Sequence, residues 1–166
     1  AEGLTEVAET VPTRDHTERL LSALGCPVRR VPGGVAVERW EPPGHDGKVP
    51  GDISGALFPV VAALASGGEV TIKDVGLNPT RTAHLEVLSR MGARIDIAVA
   101  GDDLGEPFGT VRATLSGDLR GTDVAAADLP LLIDEVPGLA ALAAVATGAS
   151  RFRGAGELRA KESDRL

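Results

Sequence analysis

The sequence holds one cysteine, one tryptophan, three phenylalanines and no tyrosine in 166 residues. Cys26 therefore has no partner for an intramolecular disulfide and cannot by itself make a cysteine-rich zinc site, which fits a reducing cytosol. With aromatics at 2%, the core has to be built from Ala, Val, Leu and Ile, and nucleobases find few side chains to stack on. Positive charge is scarce too. Seventeen Lys and Arg against 24 Asp and Glu leave a net charge of −7, and the basic residues are scattered rather than gathered on one stripe. Nucleic acid is therefore not an expected partner, although a small anion in a local basic pocket remains open. No apolar run approaches the roughly 20 residues of a membrane-spanning helix. The longest, ALFPVVAALA at 56–65, is about half that, so no membrane partner is expected. The opening residues AEGLTEVAET have neither the basic nor the apolar region of a signal peptide, and without an initial Met they read as the start of an internal piece. No G-x-x-x-x-G-K-[ST] loop is present, and GAGELRA at 154–160 puts Arg159 where a dinucleotide fingerprint needs its third glycine.

What the chain does have is enough apolar residues, 43%, for a real core, and an internal repeat. VPTRDHTERLLSALG (11–25) and NPTRTAHLEVLSRMG (78–92) align without a gap. Each pairs a proline suited to a first helical turn with apolar residues at helical spacing and a terminal glycine, Gly25 or Gly92, so both predict one amphipathic helix. A second pair, GALFPVVAALASGGEVTIKDVG (55–76) and PGLAALAAVATGASRFRGAGE (137–157), predicts an apolar helix buried on most sides, a glycine stop and a strand. VRRVPGGVAVERW (28–40) reads as a hairpin turning at Pro32 to Gly34. RIDIAV (94–99) and TVRATL (110–115) read as strands around a GDDLGEPFG loop. The unit is helix, strand, helix, strand, strand. That order predicts a further amphipathic helix beginning in LRAKESDRL (158–166), with Arg165-Leu166 matching Arg19-Leu20, so that the chain stops inside a repeat. EPPGHDGKVPGD (41–52) has linker composition and marks the expected domain boundary.

Three clusters carry chemistry. In RDHTE (14–18), Asp15, His16 and Glu18 offer metal-ligand types, but helix capping is favoured. Arg14 recurs as Arg81 at a helix start, where a cation and the positive helix end together suit an anion. In LIDEVPG (132–138), Glu135 reads equally as a helix cap or a functional group, and Asp134, between Ile133 and a buried helix, as a general base with a perturbed pKa. Lys161, Glu162 and Arg165 fall at i, i+1 and i+4 of the incipient helix and can converge on one mouth, or form a solvated face.

Four long motifs in register, VPGDISGALFPVVAAL (49–64), VGLNPTRTAHLEVLSRMGARIDI (75–97), LIDEVPGLAALAAVATG (132–148) and ELRAKESDRL (157–166), together with TRDHTERLL (13–21), resemble the middle of the 5-enolpyruvylshikimate-3-phosphate synthase family. The resemblance implies an α/β (α+β) fold of repeated βαβαββ units in two domains, helices buried and sheets outside, incomplete here. Residues 1–49 would finish the upper domain and 50–166 would open the lower one. It implies a cytoplasmic or plastid, monomeric parent transferase of the shikimate pathway, which serves aromatic amino acid biosynthesis. That enzyme moves the enolpyruvyl group of phosphoenolpyruvate to the 5-hydroxyl of shikimate 3-phosphate without metal or organic cofactor. Position by position, the resemblance makes Asp134 the base for the attacking hydroxyl and a shikimate 3-phosphate ligand. Lys161 becomes the lysine beside that hydroxyl, where its charge would also stabilise the anionic intermediate, and Glu162 the acid–base for the phosphoenolpyruvate methylene. Arg165 becomes a phosphoenolpyruvate ligand, and Thr13 and Arg14 approach the 3-phosphate. Several other family contacts have no counterpart in these residues, so the 166-residue chain is expected not to turn over. The alternatives are a non-catalytic structural fragment, self-associating through exposed sheet edges, or a fold relative. UDP-N-acetylglucosamine enolpyruvyl transferase would differ in its sugar site. RNA 3′-terminal phosphate cyclase would need a nucleotide-linked histidine, for which His16, His45 and His84 lack the context.

Overall fold

The computed structural model describes residues 3–11 and 13–165. Strand β1 (Thr5–Ala8), helix α1 (His16–Ala23) and strands β2 (Val28–Val31) and β3 (Gly34–Val37) form one group. Helix α2 (Ile53–Ala65), strand β4 (Glu69–Gly76), helix α3 (Ala83–Arg90) and strands β5 (Ala93–Asp103) and β6 (Glu106–Leu115) form a second. Strand β7 (Asp123–Val124), helix α4 (Val136–Ala143) and strand β8 (Arg151–Phe152) follow, with 3-10 turns at Leu129–Leu131 and Ala155–Ala160. The repeat seen between residues 11–25 and 78–92 is a repeat of structure. Helices α1 and α3 begin at equivalent positions, and the antiparallel sheets around them have equivalent orders, β1-β3-β2 and β4-β6-β5. Gly51 bridges Val75 in parallel ahead of α2, and β7 pairs β8 in parallel across α4, so each apolar helix crosses between parallel neighbours as a βαβ unit requires.

The glycine stops lie where the pattern predicts them. Leu24 and Met91 close α1 and α3, and Gly25 and Gly92 follow at φ +85° and +106°, the left-handed conformation that a helix C-terminus favours. Four expectations need correction. Of the two prolines, the one that can be placed does not occupy a first helical turn. Pro12 lies outside the described residues, and Pro79 sits in a turn closed by Arg81 N–H on Asn78 O (2.9 Å), ahead of α3. The loop at 101–109 is mostly strand, because Leu104 and Gly105, both at positive φ, turn β5 into β6 in two residues. Strands β1 and β7 have no counterpart in the sequence reading.

The fourth correction concerns the apolar helices. Helix α2 buries the stripe Ile53, Leu57, Val60 and Leu64, while Phe58 is 60% exposed. Helix α4 buries Val136, Gly138, Leu139 and Leu142 and leaves Val145, just beyond it, 60% exposed. One face of each is in the core, not most sides. That core is continuous from Ile53 to Leu158 and lies between the β4-β6-β5 sheet and helices α2, α3 and α4. In α1 no residue is buried. The 41–52 segment is irregular and largely exposed up to Gly51. Helix α2 then starts on Asp52, whose carboxylate accepts from Ser54 N–H (3.0 Å) and Gly55 N–H (3.1 Å). Asp52→Ala should cost about 1 kcal/mol in urea unfolding, the usual loss for an N-cap.

Candidate active site

Asp134 is the centre of the site. It sits in the turn before α4, between Ile133 (6% exposed) and Glu135 (1%). Buried neighbours on both sides leave the Asp134 carboxylate as the side chain that faces out. Three cations from distant parts of the chain reach it. Arg14 Nη2, from the segment ahead of α1, donates to Oδ2, Lys161 Nζ lies 3.6 Å from Oδ1, and Arg165 Nη1 lies 3.4 Å from the same oxygen. Arg165 Nη2 also donates to Glu162 Oε2 at 2.6 Å. The Arg14 hydrogen bond, against the opposing effect of burial and helped by Lys161, holds the Asp134 carboxyl below the usual aspartate range. Glu162, on the surface, is also held low, by a hydrogen bond from its own backbone and by Arg165. Both carboxylates are thus ionised near neutrality. Three cations against two carboxylates leave the cluster net positive, a focus of attraction for an anion on a chain that is otherwise acidic.

Five of the six residues nominated from sequence are therefore linked, and Thr13 is not among them. Its hydroxyl donates to Glu9 Oε1 at 2.8 Å on the surface. The expected helix at 158–166 is absent among the described residues, and Leu166 lies outside them. The 3-10 turn ends at Ala160, Lys161 is extended, and Arg165 N–H returns to Leu158 O at 3.2 Å. In this stretch only Leu158 is buried. A helix draws most of its stability from packing an apolar face, and these residues have none to pack. The cations converge all the same, through contacts with Asp134 rather than through helical spacing.

Two capping expectations also give way. Asp15 precedes α1 without a side-chain capping bond. Its carboxylate instead accepts from Arg19 Nε (2.8 Å) and Asn78 Nδ2 (2.9 Å). Burial opposes its ionisation, but these bonds bring its pKa down. His16 Nδ1 pairs with Glu106 Oε1 at 2.7 Å. Glu135 likewise makes no capping bond. It turns inward, where Ser54 Oγ donates to it and burial raises its pKa. Arg81 donates to the same Ser54 hydroxyl and lies 3.5 Å from Asp52 and 3.9 Å from Glu135, so carboxylates already occupy the anion site suggested for it.

Comparison with known proteins gives the family and the fold. The family model described as EPSP synthase (3-phosphoshikimate 1-carboxyvinyltransferase) matches residues 1–166. The chain belongs to the EPSP synthase family. It is 48% identical to the 3-phosphoshikimate 1-carboxyvinyltransferase of Desulforudis audaxviator and 51% identical to that of Thermus thermophilus, in each case over all of this chain and 39% of the relative. Among solved structures, EPSP synthase from Acinetobacter baumannii superposes with a TM-score of 0.89 at 41% identity, over all of this chain and 38% of its own. The chain thus spans about two fifths of the length of the EPSP synthases it matches, in the repeated α/β architecture of that family.

Sequence reading gave this EPSP synthase family chain its outward-facing groups and missed the supports behind them. Asn78 is 2% exposed. Its amide nitrogen reaches Asp15 and Glu106, and its oxygen accepts from Thr80 N–H (2.8 Å) and Thr80 Oγ1 (2.7 Å). An Asn-Pro pair is a recognisable turn signal, but nothing local shows that its amide ties α1 to β6. Among the described residues no helix is long and apolar enough to cross a membrane.

Proposed function

We propose that the cluster around Asp134 is the part of an enolpyruvyl transferase site that this chain carries. The parent reaction would join the 5-hydroxyl of shikimate 3-phosphate to the enolpyruvyl group of phosphoenolpyruvate and release phosphate. The observation that carries the reading is the convergence of Arg14, Lys161 and Arg165 on one ionised carboxylate. Both substrates are anions, and planar guanidinium groups match phosphate and carboxylate oxygens. Arg14, and with it Thr13, would approach the 3-phosphate, releasing Asp134 to accept the proton of the attacking 5-hydroxyl. Phosphoenolpyruvate would draw Arg165 off Glu162, letting that carboxylate take up a proton from solvent; the oxygen then bonds to the central carbon of phosphoenolpyruvate while Glu162 delivers this proton to the methylene. Elimination runs in reverse order: Glu162 removes a proton from the new methyl group, the double bond re-forms and phosphate departs with the bonding pair. Lys161 would hold the charge that builds near the hydroxyl, and Arg165 would bind phosphoenolpyruvate. No step requires a metal or an organic cofactor. Residues 1–49 would belong to the upper domain and 50–166 to the lower, with the site at their junction, in a cytoplasmic parent enzyme.

Calorimetry with the 166-residue chain tests the reading. Shikimate 3-phosphate should bind, shikimate should bind at least about tenfold more weakly, and Arg14→Ala should remove that preference, a difference of about 1.4 kcal/mol. Equal binding of the two ligands, or no binding of either, would contradict it. Given both substrates, the chain alone should release no phosphate. Steady release would show that these residues suffice for turnover.

A further inference from the structure

Asp134 and Glu135 are neighbours that point opposite ways. Asp134 faces the cation cluster at 26% side-chain exposure, and Glu135 is 1% exposed. A carboxylate enclosed to that degree, at a helix start it does not cap, calls for another role. Its surroundings supply one. Ser54, the second residue of α2, donates its hydroxyl to Glu135 Oε1, and Arg81, ahead of α3, donates to the same hydroxyl. Arg81 Nη2 also stands 3.9 Å from Glu135 Oε1 and 3.5 Å from Asp52 Oδ1. The starts of α2, α3 and α4 are thus joined at one buried carboxylate. Behind it, Gly138 lets α2 and α4 close together, since a Cβ there would stand 2.7 Å from Leu57 Cδ2. The turn carrying Asp134 is closed by Glu135 N–H and Val136 N–H, both on Leu132 O, at 2.9 and 3.0 Å.

We propose that Glu135 is a positioning residue for Asp134: held by Ser54 and Arg81, it fixes the 132–135 turn so that the Asp134 carboxylate stays within reach of Arg14, Lys161 and Arg165. The physical reason is leverage. Only one backbone unit separates the two side chains, so a shift of Glu135 toward solvent rotates Asp134 away from its cations. Leu132 and Ile133 anchor the other end of the turn at 2% and 6% exposure, which leaves Glu135 as the polar end of the clamp. Apolar packing alone would fix the depth of the turn but not its rotation. The directional hydrogen bond from Ser54, itself held by Arg81, together with the Arg81 ion pair fixes the rotation. The importance of Asp134 rests on the reading of the site above, whereas the clamp itself does not depend on any substrate.

The test reads Asp134 directly. With the aspartate γ-carbons labelled, carbon NMR follows its carboxyl through a pH titration of the whole chain, without ligand. In the wild type it should titrate below the ordinary aspartate range. In Glu135→Ala the midpoint should rise by about one unit, as the arginine and lysine contacts loosen. The sign is diagnostic, because deleting a neighbouring negative charge would by itself lower the midpoint or leave it alone. Glu135→Gln keeps an acceptor for Ser54 and should keep Asp134 low. Ser54→Ala removes only the bridging hydroxyl and should raise the midpoint in the same direction, which keeps the test decisive if Glu135→Ala fails to fold. A folded Glu135→Ala or Ser54→Ala chain whose Asp134 titrates as in the wild type would overturn the proposal. So would a rise in Glu135→Gln equal to that in Glu135→Ala. Failure of shikimate 3-phosphate binding in the wild type, with these midpoints moving as stated, would count against the proposed function and not against the clamp.

Discussion

Between pH 7 and pH 4 the chain is expected to lose about 3 kcal/mol of folding stability through His84 alone. His84 is the second residue of α3 and is 1% exposed. Burial, chiefly, with the Arg81 guanidinium nearby, lowers its pKa from 6.5 to about 4. A hydrogen bond to the Arg81 backbone and the charge of Asp52 work the other way. The folded chain keeps the ring neutral down to about pH 4, while the unfolded chain takes up a proton near its ordinary pKa. The stability is therefore whole above pH 6.5 and is lost as pH falls toward 4. The aspartates with lowered pKa, Asp15 and Asp134, give up their contributions at still lower pH, so the two effects occupy different windows. Urea unfolding at pH 7, 5.5 and 4, repeated on His84→Gln, isolates the histidine. The variant should show little decline across this range, and a decline as steep as the wild type's would refute the assignment.

Leu139→Ala should cost about 3 to 5 kcal/mol, enough to leave the chain largely unfolded under mild denaturant. Leu139 is fully buried in α4, in the core that joins α2 to the β4-β6-β5 sheet, and its truncation leaves a cavity among buried side chains. Phe58→Ala, in the equally apolar α2, should change stability far less, because 60% of that side chain already faces solvent. Paired denaturant titrations at one pH compare the two directly. Similar losses in both would mean that Phe58 is covered in solution.

The contrast between those two residues shows where sequence reading reaches its limit. ALFPVVAALA and PGLAALAAVA are apolar almost throughout, so periodicity could say that they are helices but not which stripe packs. The stripe is chosen by the partners: Gly138 admits Leu57, and Leu64 and Leu139 disappear into one core while Phe58 and Val145 stay outside. Sequence reading succeeded where one residue type dictates a local geometry. Gly25 and Gly92 stop their helices because few other residues accept the left-handed backbone there, and Gly33 at φ +75° turns the β2–β3 hairpin for the same reason. It failed at LRAKESDRL, where a charge pattern with helical spacing met no apolar face to hold a helix in place.

The site divides along the same line. Asp134, Lys161, Glu162 and Arg165 were legible as charged residues in two compact motifs, and Arg14 as the repeat partner of Arg81. The sequence by itself determined the duplicated unit, the family and the identity of these charged groups, because backbone propensity and motif chemistry are local properties. Only the tertiary structure decided that Arg14 pairs with Asp134 from 120 residues away, that Thr13 turns to Glu9, and that Glu135 is buried against Ser54 and Arg81. Those outcomes follow from long-range charge pairing and desolvation, which depend on distances that a linear chain does not contain.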